Sequence, residues 1–122
     1  METQRRIGLV LSGLVLLFMV FDGVIHVLRI APVVSAFQQL GYPLTTAVPL
    51  GIIELACVAL CALPATRLIG ALLLTAYLGG AVATQLRVGA PPFELLFPVL
   101  LGAILWGGLY LADARVARVL ER

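Results

Sequence analysis

The sequence has no lysine, one histidine, one tryptophan and two cysteines, and only 11% of its residues are charged. Each shortage removes a class of protein. All eight basic residues are arginines, scattered along the chain, and the net charge of +2 is too small and too dispersed for nucleic-acid binding. Cys57 and Cys61 both fall in an apolar stretch, without the spacings of a structural zinc site or a disulfide scaffold. A soluble domain carries about 25% charged residues, so the charge content argues against one. What fills the chain instead is hydrocarbon: 62% of it is hydrophobic, and the mean hydropathy is +1.15. These values predict an all-α integral membrane protein and a single transmembrane domain over 1–122.

A helix needs about 20 largely apolar residues to cross ~30 Å of hydrocarbon. Four stretches qualify: 7–30, ended by Ala31-Pro32; 45–63, ended by Pro64; 68–86, ended by Val88-Gly89-Ala90-Pro91-Pro92; and 94–112. Their apolar runs are long and continuous, whereas barrel strands alternate over about ten residues. The expected architecture is therefore a four-helix bundle. Arg5 and Arg6 before an apolar run, with Val34-Ser35-Ala36 beyond it, imitate a secretory leader. The run is too long for a leader and is interrupted by Asp22, so an uncleaved helix is expected. The 31–44 connection has the pattern of a partly amphipathic turn at the interface. Residues 113–122, with Val116, Val119 and Leu120 between arginines, are expected to extend the fourth helix along the membrane surface.

With the N-terminus inside, Arg5, Arg6, Arg67, Arg115, Arg118 and Arg122 lie inside and Arg29 and Arg87 outside. The positive-inside rule then places both termini in the cytoplasm, and a bacterial inner membrane is the expected location. VLRIAP at 27–32 resembles QLRVGAP at 85–91, as two related helical hairpins of one orientation would give.

Three costly side chains, Asp22, His26 and Arg29, sit within one apolar run. At 100° per residue, Asp22 lies about 40° from His26 and about 20° from Arg29, so all three share one stripe. Counting ~1.5 Å per residue, Asp22 is roughly 12 Å below the outer end of its span and Glu54 roughly 14 Å below the same surface. Charged groups at such depth are expensive and must face the bundle interior, pair, or meet water. They are expected to converge on an outward-facing pocket. Glu54 would be neutral there unless Arg29 or Arg87 reached it. Asp22, His26 and Glu54 are the candidate catalytic groups, acting in proton transfer, with His26 the natural carrier to solvent. Arg29, Tyr77, Thr84, Gln85 and Arg87 are the candidate ligand-binding residues.

Each of these has a structural alternative. Asp22 and His26 could form a polar clamp between helices. Arg29 and Arg87 could reach the headgroups from helix ends, and Glu94 could serve the dipole at a helix start. Tyr77, Tyr110 and Trp106 could be packing residues. Gly79-Gly80-Ala81 and Gly107-Gly108 read as close helix contacts. No metal is expected from Glu54, His26 and Cys61, which differ in depth and lack compact ligand spacing. Cys57 and Cys61, one turn apart on a helix, are poorly aimed for a disulfide.

The segment PLGIIELACVALCALPATRLIGALLLTAYLGGAVATQLRVGAPPF (49–93), followed by WGGLYLADARV (106–116), resembles the DoxX-like family of small four-helix membrane proteins. Relatives often carry a histidine where this chain has Gln85, which removes a titratable group from the third helix. The resemblance implies an association with quinone-linked redox chemistry. Two functions are therefore expected as alternatives. One is a pocket binding a small lipophilic, quinone-like molecule with proton exchange; the other is a non-catalytic subunit or assembly factor for a redox partner protein. The bilayer is the expected environment in both cases. The sequence names no cofactor, and a homo-oligomer is compatible with it.

Overall fold

A computed structural model describes the whole chain, Met1–Arg122. It is entirely helical. The first helix, α1, runs over Glu2–Leu28, about 40 Å at 1.5 Å per residue and ample for a bilayer. It ends where Arg29 turns into the left-handed region (φ 52°, ψ 51°) and returns its N–H to the His26 carbonyl. That turn redirects the chain into α2, Ala31–Leu40, with a proline in its first turn and Gly41 (φ 77°) closing it. The 31–44 connection is thus a full ten-residue helix rather than a turn. A single 3-10 turn, Leu44–Thr46, leads into α3, Ala47–Ala62. A second, Pro64–Thr66, joins α3 to α4, Arg67–Arg87. Gly89 (φ 68°) and the following prolines reverse the chain into α5, Pro92–Ala112.

The expected continuation of the fourth span into the tail is not what forms. The helix stops at Asp113, whose backbone is extended (φ −130°, ψ 112°) and whose side chain caps a separate helix, α6, Ala114–Leu120. Asp113 prefers that cap because its carboxylate accepts the Arg115 backbone N–H at 2.9 Å, satisfying a donor that a helix start otherwise leaves free.

The four long helices form a closed square: α1 packs on α3 and α5, and α4 packs on the same two, leaving α1 and α4 on a diagonal. Val15, Met19, Leu74, Leu78, Leu101, Leu105 and Leu109 fill its centre. Near the termini α1 crosses α5 with Gly8 against the Gly108 backbone, so both ends of the chain lie at one end of the bundle. At the opposite, distal end, Val33 and Phe37 of α2 pack with Ala47 into a small second core. Only 24 of the 122 residues are buried, and residues such as Leu14, Leu17, Phe21, Ile52, Ile69, Leu96 and Leu100 cover the outside. Four helices are long and apolar enough to cross a membrane. An apolar exterior over a small core is the arrangement of a protein whose solvent is lipid.

Candidate functional site

The site begins with two glycines. A side-chain carbon at Gly51 would stand 2.7 Å from the Gly23 carbonyl oxygen and 3.0 Å from the His26 Cβ, and one at Gly23 would meet Leu55 at 2.8 Å. Lacking those carbons, α1 and α3 approach closely at this level. Asp22 precedes Gly23, His26 follows it by three residues, and Glu54 follows Gly51 by three. The crossing therefore gathers the carboxyls of Asp22 and Glu54 and the ring of His26, with one ligating atom of each within 4.8 Å of the others.

Within the cluster, His26 Nδ1 lies 2.6 Å from the Asp22 backbone carbonyl oxygen and 3.5 Å from its carboxylate. The carbonyl can only accept, so Nδ1 carries the hydrogen and donates it. The ring also meets the edge of Phe37, at 5.7 Å between centroids. Glu54 is 0% exposed, and neither of its carboxyl oxygens has a hydrogen-bond partner. It is the buried polar side chain left without a hydrogen bond, although Asp22 and His26 stand beside it.

Asp22 and His26 open on a cavity of about 440 Å³, within the range of small-molecule sites. Its apolar wall comes from Phe37 and Leu40 of α2, Leu50 of α3 and Ala76 and Ala81 of α4. Its polar lining adds Tyr77, Thr84 and Gln85 on α4 and Tyr42 on the connection after α2. The Tyr42 hydroxyl and Thr84 Oγ1 are 2.7 Å apart, and Arg87 donates to the Leu40 carbonyl. These two bonds tie the end of α2 to the end of α4.

The cavity thus brings together Asp22, His26, Tyr77, Thr84 and Gln85, with Glu54 buried behind it. Arg29 and Arg87 do not line it: Arg29 is the exposed cap of α1, and Arg87 secures α2. Glu94 sits exposed in the first turn of α5. Trp106 donates to Thr75 at 2.7 Å, and Tyr110 donates to Glu121, both away from the cavity. Cys57 and Cys61 are free and buried outside the three-residue cluster. Of the small-residue runs, only Gly108 makes a close approach; Gly79, Gly80 and Gly107 have open space where a Cβ would stand. The close contacts belong instead to the isolated Gly8, Gly23, Gly51 and Gly70. Tyr42 and Phe37 lay outside the expected site because the fold of α2 over the bundle is a tertiary event.

The sequence profile of the DoxX-like family matches residues 10–108, a stretch that contains all four long helices' central parts and every residue of the cluster. Neither a curated protein nor a solved structure matches the chain.

Proposed function

The chain belongs to the DoxX-like family, and from its geometry we propose that it binds a small, largely apolar molecule in the cavity between α1, α2 and α4. The observation that carries this reading is a 440 Å³ space with hydrocarbon walls and one polar end. Such a space accepts a ring or chain in its apolar part and a carbonyl or hydroxyl head group against Tyr77, Thr84, Gln85 and the Asp22–His26 pair. A quinone-like compound has that division of surface. The arginine distribution supports a bacterial inner-membrane location with the termini in the cytoplasm, which opens the cavity toward the outer face. Proton exchange through His26 and a carboxyl group would accompany binding at the polar end wherever no cation sits there.

Purification of the full chain in mild detergent, followed by extraction and mass spectrometry, tests the proposal. A retained lipophilic molecule is expected in the native protein, displaced when Ala81→Trp fills the cavity. Equal retention by both proteins, or none by either, would overturn it. Co-purification of a stoichiometric protein partner with an empty cavity would support the scaffold reading instead.

A further inference from the structure

We propose that Asp22, His26 and Glu54 bind one divalent transition-metal ion at the floor of the cavity, with its remaining coordination positions directed toward the molecule above. The site deepens the ligand-binding reading and rests on it for the identity of what sits above the ion, but its own ground is the cluster and its charge.

Three observations converge. First, the donor set is one imidazole and two carboxylates on two helices, with ligating atoms within 4.8 Å of one another. Mixed nitrogen and oxygen donors of this kind suit zinc, manganese or ferrous iron rather than calcium or copper(I). Bonds of about 2.0–2.2 Å would set the donors roughly 3–3.5 Å apart, so a pair at the 4.8 Å limit would close by about 1.5 Å. Second, His26 Nδ1 lies 2.6 Å from a backbone carbonyl oxygen and 3.5 Å from the Asp22 carboxylate, which leaves Nε2 as the nitrogen available to an ion. Donation of the other ring nitrogen to a carbonyl is the support that metal-bound histidines almost always have. Third, Glu54 is fully buried, faces Asp22 and His26, and has both oxygens without a hydrogen-bond partner.

No arginine pairs with the cluster. The arginines that could neutralise these carboxyls are engaged or distant: Arg87 binds the Leu40 carbonyl, Arg67 and Arg115 pair with Asp113, Arg6 pairs with Glu2, and Arg29 is exposed at its helix end. A divalent cation balances both carboxylates at once and uses all three side chains. The depth argument against a metal applies to Cys61; it does not apply to Asp22, which arrives at the same level as Glu54.

The test uses the full chain in detergent, stripped with a chelator and reloaded with Co²⁺ or Zn²⁺. One ion per chain is expected, and Co²⁺ should give visible absorption bands from its protein ligands. Asp22→Asn, His26→Gln and Glu54→Gln should each weaken binding by more than the ~10–100-fold that losing an outer-sphere partner costs, while Glu94→Gln retains it. The strip-and-reload cycle on the native chain tests the proposal even if a variant fails to fold. No ion above a protein-free blank, or unchanged binding in folded variants of all three residues, would overturn it in favour of protons shared within the cluster. Ala81→Trp separates the two readings. A lipophilic molecule retained without metal removes the metal site alone; metal retained with no lipophilic molecule in either protein removes the ligand pocket alone.

Discussion

Gly51 on α3 faces the backbone carbonyl of Gly23 on α1 with no space for a methyl group: a Cβ there would lie 2.7 Å from that oxygen. The obstacle is backbone and cannot rotate away. Gly51→Ala should force the helices apart and destabilise the protein by about 1–3 kcal/mol, the range for overpacked cores. Thermal unfolding in detergent measures it. Gly79→Ala is the control. Open space surrounds that position, so the better helix former should be neutral or stabilising by up to ~1 kcal/mol.

Glu54 should be a residue kept for use rather than for stability. Its carboxyl is buried without a hydrogen-bond partner, and a buried unsatisfied polar group costs ~1–3 kcal/mol. Glu54→Leu is therefore expected to raise the unfolding temperature of metal-free protein while abolishing binding at the cluster. A variant less stable than the metal-free native chain would show that Glu54 has partners in the membrane.

Arg29 holds the left-handed cap of α1 at φ 52°. A side chain in that region costs roughly 1–2 kcal/mol relative to glycine. Arg29→Gly should therefore maintain or increase stability and leave binding in the cavity unchanged, since Arg29 does not line it. Loss of ligand in a folded Arg29→Gly protein would return Arg29 to the site.

Asp113 predicts an acid limb in the stability curve. Side-chain hydrogen bonds from Arg115, the largest cause, together with its backbone N–H and with Arg67, hold the carboxyl at about 2, against an ordinary value of 3.8. A depressed folded value means the contribution is present above pH ~3.8 and is lost as pH falls toward 2. Unfolding temperatures between those limits should drop more steeply for the native chain than for Asp113→Asn, which should be less stable at neutral pH.

Much of this architecture was legible in the chain because the bilayer imposes its own length on a helix, and prolines at 64, 91 and 92 punctuate the runs. The stripe of Asp22 and His26 followed from helical periodicity, and the shared depth of Glu54 from counting rise. Other features depended on tertiary structure. Gly23 and Gly51 look unremarkable singly, and only their opposition across a crossing gives them a role. The conspicuous Gly79-Gly80 pair lies where the helix is open. Asp113 lay in what read as a continuous helix, because a cap competes with helix continuation through a local hydrogen bond that hydropathy does not register. The ten-residue α2 was hidden for the opposite reason, being too short to register as a span.

The glycine crossing also decides which wall of the cavity can yield. Steric interlock holds α1 and α3 together as one pillar, so any opening of the cavity falls to the facing side. There, α4 has empty space beside Gly80, and α2 is fastened by the Tyr42–Thr84 and Arg87–Leu40 bonds. The cluster is thus carried on the interlocked pair, and the wall opposite it is held by two hydrogen bonds between the ends of α2 and α4. Any opening on that side would leave the Asp22–His26–Glu54 crossing intact.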